Sequence, residues 1–369
     1  MPYAITMWDF SWLERRWPGA GFEDWDAALG ELVERGYDTV RIDAYPHLVA
    51  AGPERTWQLL PQWDQQDWGA PALVEVQVLP ALVEFIVAAR AHGVSVALST
   101  WFRQDRDDTR MRITSPQEHA RVWSETLRHL RDADALDSVR FVDLCNEFPL
   151  PVWAPFLYGG TKGELLRRSG ERVRAWTTTA IRELRSEWPD LDLTFSVTKQ
   201  YEDVEGQDVS EFDLLEPHLW MASYTDFYQR IGYGFEPFDP IGYEHVVARA
   251  LPTYRGDQER YDRELFEGID RLADWSRATG KPLVTTECWS MVDYKDWPGL
   301  DWGWVKELNE RALRRAASTG RWIGLATSNF CSPQFRGMWR DVDYHRRLTE
   351  LIVSSPVDDD LAMLERTPS

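Results

Sequence analysis

Glu34-Arg-Gly-Tyr-Asp-Thr-Val-Arg-Ile42 ends a helical stretch on Gly36 and enters an apolar strand at the next residue. The junction returns as Ala91-His-Gly93 before Val94-Ser-Val-Ala-Leu98. It occurs again as Ala278-Thr-Gly280 before Lys281-Pro-Leu-Val284, and as Ser318-Thr-Gly320 before Arg321-Trp-Ile-Gly-Leu325. Glycine accepts the left-handed backbone that terminates a helix. A short step from there into an apolar run is the αβ half of a βαβ unit. Four copies predict a parallel sheet with alternating helices. Filling the intervals yields eight strand candidates, at roughly 3–8, 37–43, 94–100, 139–145, 191–197, 214–220, 281–287 and 321–327. Eight β/α repeats in 369 residues favour a (β/α)8 TIM barrel over an open doubly wound sheet.

The spacing predicts helices between most of the strands. Ser115-Pro-Gln-Glu118 reads as a capping box with proline at the first helical position. Residues 161–187 and 258–279 read as long amphipathic helices with solvated Arg/Glu faces. No linker rich in Gly, Ser or Pro divides the chain, so the expectation is one barrel domain, 1–355, with a polar tail, 356–369, that frays. Two connections, 45–72 after the second strand and 221–257 after the sixth, exceed a simple turn and are aromatic-rich. Long loops at strand ends are where barrels shape a substrate site.

Composition narrows the partners. A formal charge of −20 repels phosphate backbones and anionic lipids, so neither nucleic acid nor membrane is expected. No apolar run approaches a membrane span, and the N-terminus Met1-Pro-Tyr-Ala-Ile-Thr-Met-Trp-Asp9 has no basic region or cleavage signal. The expectation is a cytoplasmic protein. Cys145, Cys288 and Cys331 form no C-x-x-C pair and read as reduced, buried packing residues. The seven histidines are scattered, which argues against a zinc site. Gly159-Gly-Thr-Lys-Gly163 lacks phosphate-loop spacing, and no dinucleotide fingerprint follows a strand, so no cofactor is expected. The 20 tryptophans are unusually many; some must be core, and an excess in loops would suit a groove for flat apolar sugar faces, two readings that composition alone does not separate.

Two apolar runs end on glutamate: Phe141-Val-Asp-Leu-Cys-Asn-Glu147 and Lys281-Pro-Leu-Val-Thr-Thr-Glu287. A carboxylate there is costly unless it is paired or used. In the predicted order Glu147 follows strand four and Glu287 ends strand seven, so a barrel would set them across its C-terminal mouth. Arg41 and Asp43 on strand two, Asn146 beside Glu147, and His218 on strand six fall on the same rim. Arg41 paired with Asp43, and ion-paired structural glutamates, are the plain alternatives.

The set Gly36-Tyr-Asp-Thr-Val-Arg-Ile42, Asn146-Glu147, His218-Leu-Trp220 and Thr286-Glu287 resembles the cellulase-like (β/α)8 glycoside hydrolases of clan A, near family 5. The resemblance spans about residues 3–330 and implies a retaining hydrolase of β-linked glycosides or short oligosaccharides. It implies Glu147 as acid/base, Glu287 as nucleophile, and Asn146 on the sugar 2-hydroxyl. It also implies Arg41 holding Glu287 ionised, with His218 and Trp220 near the cleavage subsite. A guanidinium beside Glu287 is expected to lower its pKa, and partial desolvation to keep Glu147 protonated. Strand three ends on Leu98-Ser-Thr-Trp101 and strand eight on Thr327-Ser-Asn-Phe330, where relatives carry His and Trp. Trp101, Trp289 or Phe330 would then supply the stacking surface. Asp43, Tyr45 and His47 either touch sugar hydroxyls or pack their loop. A carbohydrate-binding barrel without hydrolysis, a transglycosylase, and another barrel enzyme such as an isomerase or lyase remain as alternatives. A third carboxylate at the mouth would favour the last.

Overall fold

The structure, a computed structural model, describes residues 1–364 except 64–65, 161–162, 235 and 237–238. Eight parallel segments follow the predicted order: β1 (Tyr3–Asp9), β2 (Thr39–Asp43), β3 (Ser95–Ser99), β4 (Val139–Asp143), β5 (Leu193–Thr194), β6 (Leu219–Trp220), β7 (Leu283–Thr285) and β8 (Trp322–Leu325). Seven of them form one sheet in the order β5-β4-β3-β2-β1-β8-β7. The stretch before β6 bridges the two edges, with Val197 paired to Pro217 and Leu215 to Leu283. Leu219 and Trp220 then pair with Cys288 and Trp289 beyond β7. These bonds set the 215–220 stretch between β5 and β7 and close the ring.

Alternation along the strands sorts the side chains. Val40, Ile42, Val96, Leu98, Val142 and Leu144 face outward into the main core beneath the helices. Tyr3, Ile5, Ala97, Phe141, Leu214 and Val284 form a separate apolar cluster that plugs the ring. Two residues further along each strand the inward positions turn polar: Ser99 after Ala97, Asp143 after Phe141, Glu216 after Leu214 and Thr286 after Val284, all fully buried. The polar layer therefore lies one pleat above the plug, toward the C-terminal ends of the strands.

Helices Trp25–Glu34, Val78–Ala91, Pro116–Asp132, Glu171–Glu187, Gln258–Thr279, Trp302–Ser318 and Val342–Val353 fill the connections. The β5–β6 connection holds only the short turn Tyr201–Asp203. Ser115 caps its helix, accepting from the Glu118 N–H at 3.1 Å. The Glu118 carboxylate pairs with Arg121 rather than completing the box. The four junction glycines all have positive φ, from 69° to 83°.

Four expectations need correction. The helix read over 161–187 begins at Glu171, because Gly170 is extended (φ −74°, ψ 148°) and starts it; residues 161–162 lie outside the described residues. The stretch 45–72 is not plain loop: it contains helix Pro46–Ala51 and strand Thr56–Leu59, which forms an antiparallel hairpin with Val74–Gln77. The stretch 221–257 likewise carries helix Ile241–Gly256. The tail begins with a short helix, Asp359–Leu364, because buried Arg321 needs anions and takes them from Asp358 and Asp360; residues 365–369 lie outside the described residues. Cys145, Cys288 and Cys331 are free and buried. Among the described residues no helix is long and apolar enough to cross a membrane.

Candidate active site

Arg41 organises the centre of the polar layer. Its Nη2 donates to Asp143 Oδ2 at 2.5 Å, Ser99 Oγ at 2.9 Å and Asn146 Oδ1 at 2.8 Å. Its Nη1 reaches Thr286 Oγ1 and Glu287 Oε1, both at 3.2 Å, and its Nε lies 3.3 Å from Glu216. Trp101 covers it, with the guanidinium carbon 4.7 Å from the ring centroid. The alternative pairing of Arg41 with Asp43 does not occur. Asp43 is fully buried and accepts the backbone N–H groups of Tyr45 and Trp101, so it shapes the loops after β2 and β3.

Glu147 follows β4 at φ 49°, a conformation non-glycine residues seldom adopt. Its N–H donates to Ser196 Oγ at 2.7 Å, and Ser196 in turn binds Asp143 through both its N–H and its hydroxyl. Asp143 thus ties Arg41, Ser99 and the Glu147 turn together. Buried Arg168 holds the other side of that turn through the Phe148 carbonyl.

His218 bridges the two glutamates. Its Nδ1 lies 3.3 Å from Glu147 Oε1 and 3.6 Å from Glu287 Oε1, and its Nε2 lies 3.6 Å from Glu216. Arg41, Asp143, Glu216 and His218 are fully buried, whereas the side chains of Glu147 and Glu287 retain 12% and 10% exposure, so these two are the ones a ligand meets. Burial opposes the His218 charge, but Glu287, Glu147 and Glu216 outweigh it and lift the imidazole to about 10. Burial pushes Glu287 up to about 7; His218 and Arg41 pull it down, while Glu147 and Glu216 push it further up. The expected net lowering by Arg41 is therefore corrected. Two cations, Arg41 and His218, thus face the four carboxyls of Asp143, Glu147, Glu216 and Glu287 in this cluster.

Glu147, His218 and Glu287 offer donor atoms within 4.8 Å of one another, the arrangement of a possible metal site. An imidazolium has no lone pair to give, so the donor set fits a proton-sharing network better than a metal.

Above the pair opens a cavity of about 420 Å³, inside the usual range of small-molecule sites. Asn146, Glu147, Glu287, Trp101 and Trp220 line it, together with Trp63, Trp68 and Trp153. Trp153 Nε1 donates to Glu147 Oε2 at 3.4 Å. Trp289 does not reach the cavity: it is fully buried against Trp322, with its Nε1 on the Ala326 carbonyl. Phe330 is buried beside Trp68, and Tyr45 and His47 turn into loop packing, on Glu14 and on the Arg103 carbonyl. Asp143, Glu216, Asp9 and Asp293 escaped the sequence reading. Each is an acid inside or just after an apolar strand run, the same signal that marked Glu147 and Glu287. Asp9 and Asp293 line the cavity, and burial raises both carboxyls, Asp293 to about 6 with the hydroxyls of Tyr233 and Tyr228 opposing.

A parallel β/α ring with paired glutamates above β4 and β7 defines the cellulase-like class of fold. The chain belongs to the sugar-binding cellulase-like family, whose model matches residues 5–353. It is similar to a protein from Parabacteroides distasonis described provisionally as a glycoside hydrolase, at 46% identity and a TM-score of 0.95, covering 98% of this chain and 96% of that one. More remotely it shares its fold with the GH5_18 protein of Bifidobacterium longum, at 13% identity, TM-score 0.56 and coverage of 97% and 81%. It also shares the fold of a glycoside hydrolase family 5 mannosidase from Rhizomucor miehei, at 10% identity, TM-score 0.53 and coverage of 95% and 93%. No curated protein matches the sequence.

Proposed function

We propose that this protein is a retaining glycoside hydrolase that cleaves a β-linked glycoside or short oligosaccharide by double displacement. The observation that carries the reading is the approach of Glu147 and Glu287 oxygens to within 4.8 Å across the cavity floor. Retaining enzymes hold their carboxyl groups about 5–5.5 Å apart, whereas inverting ones leave about 6.5–9.5 Å for a water. Arg41 touches Glu287 and not Glu147, so the guanidinium favours the charge on Glu287, the nucleophile of this reading, and leaves Glu147 the part of the acid. Glu287 attacks the anomeric carbon while Glu147 protonates the departing oxygen. Glu147, now ionised, then takes a proton from the water that releases the glycosyl-enzyme. Asn146 gives its carbonyl oxygen to Arg41, which leaves its NH2 for a sugar hydroxyl. Trp101 and Trp220 offer faces for the ring to stack on.

A panel of nitrophenyl glycosides and oligosaccharides, with NMR of the first-formed anomer, tests the reading. Glu287→Gln should reduce turnover to background. Glu147→Ala should lose roughly 10²–10⁴-fold on natural glycosides but far less on dinitrophenyl glycosides, whose leaving group needs no proton. An inverted product, or full activity of Glu287→Gln, would overturn it.

Two other readings have a specific observation behind them. The family description speaks of sugar binding, which favours a barrel that binds without hydrolysis; tight calorimetric binding with no turnover across the panel would select it. Asp9 and Asp293 are further carboxyls at the mouth, the feature expected of an isomerase or lyase. Among the described residues, however, neither joins the converging Glu147, His218 and Glu287 group.

A further inference from the structure

Asp293 lies in the loop after Trp289, six residues beyond Glu287 in the chain, and is 4% exposed. Its carboxylate is built in place. Tyr228 Oη accepts the N–H groups of Val292 and Asp293, at 2.9 and 3.2 Å, and donates to Asp293 Oδ2 at 3.3 Å. Tyr233 stacks on Tyr228 with ring centroids 4.6 Å apart, and both rings line the cavity. One oxygen of the carboxylate is thereby held. The other, Oδ1, is buried and has no hydrogen-bond partner among the described residues, although the residue faces the cavity. A buried carboxylate oxygen without a donor is destabilising, and the loop fixes it there. The proposed reaction makes no use of it, because acid, nucleophile and their supports are all supplied elsewhere.

We infer that Asp293 is a specificity-determining residue that accepts a hydrogen bond from a hydroxyl of the sugar ring beside Glu287, and that the ring it selects is uncharged. The inference rests on the glycoside-hydrolase reading and adds to it the class of sugar. A hydroxyl is the donor that Oδ1 lacks. A carboxylate or sulfate on the ring would meet Asp293 and the glutamate pair, with exposed Lys199 as the cation in the lining. The site therefore admits neutral glycosides and rejects uronides.

The test is a cycle between Asp293 and the substrate's hydroxyls. Wild type, Asp293→Ala and the near-isosteric Asp293→Asn are assayed on the best nitrophenyl glycoside, its monodeoxy derivatives and the corresponding uronide. In the wild type, loss of one particular hydroxyl should cost roughly 10- to 100-fold in kcat/KM, the strength of a hydrogen bond to a charged group. In Asp293→Ala that same deletion should cost nothing further, while the other deoxy positions keep their wild-type penalties. The wild type should discriminate against the uronide, and Asp293→Asn should narrow that discrimination. A merely structural Asp293 would lower all substrates alike. Deoxy profiles that superimpose for wild type and both variants would overturn this inference and leave the hydrolase reading intact. If the wild type turns over no glycoside and Glu287→Gln binds no sugar by calorimetry, both fall together. Thermal midpoints of the variants separate folding losses from recognition, and Asp293→Asn carries the cycle if the alanine variant does not fold.

Discussion

Glu287 must be ionised to attack, yet its surroundings lift it to about 7, chiefly by burial. The sign for activity follows directly. As pH falls through that value Glu287 takes up a proton, so kcat/KM should decline on the acid side from about pH 7 downward. Glu216 is one of the charges that raises Glu287, and it also accepts from Thr286 Oγ1 at 2.7 Å. Replacing it by glutamine removes the charge and keeps the shape, so the acid limb of Glu216→Gln should move to lower pH, as a pH–rate profile would show. Arg41 alone looked sufficient to hold Glu287 charged when the residues were read in one dimension. What that view omitted were the burial of Glu287 and the neighbouring charges of Glu147 and Glu216, all of which raise it.

At the scale of the element, the helix–glycine–strand junctions were legible because the requirement is local: a helix ends, the backbone turns left-handed, and a strand begins. Gly36 and Gly93 share that conformation, at φ 83° and 73°, but not their surroundings. A Cβ at Gly93 would meet nothing within 4 Å, whereas one at Gly36 would run into the Thr349 side chain. Gly93→Ala should therefore cost about 1–2 kcal/mol, the strain of a left-handed L-residue. Gly36→Ala should cost clearly more, and chemical denaturation of the two variants would reveal the order. The long connections were less legible. The 45–72 stretch forms half of a hairpin whose partner, Val74–Gln77, lies outside it, so no local signal marked the pairing. Strands β5 and β6 are two residues each, too short for an alternation pattern to define their ends.

Across the whole molecule, 61 acidic side chains face 41 basic ones. Even if every Lys and Arg found a carboxylate, the excess charge would remain and repel itself. Screening that repulsion should outweigh the weakening of surface ion pairs, most of which contribute little each. The thermal midpoint should therefore rise as salt increases from about 0.01 M to about 0.15 M, and scanning calorimetry would detect it. The tryptophans divide at this scale too. Trp8, Trp12, Trp123, Trp289 and Trp322 are sealed in the core, while Trp63, Trp68, Trp101, Trp153 and Trp220 reach the cavity. Loop or strand origin does not sort them, because Trp289 follows a strand like Trp101 and yet points the other way.

The sequence by itself determined the eight-strand order, the helix caps and the two glutamates, because each depends on neighbours a few residues away and on the pleat of a strand. The tertiary structure decided what those glutamates feel. Closing the ring brings Arg41, Asp143, Glu216 and His218 from three strand segments into one buried layer, and burial there, with the charges of Glu147 and Glu216, reverses the pKa direction that Arg41 alone implies. It also decided which carboxyls face the cavity, since Asp43 turns into its loop while Asp293, held by Tyr228, turns out of its own. Electrostatics and orientation depend on distances between residues remote in the chain, and only the folded ring sets those.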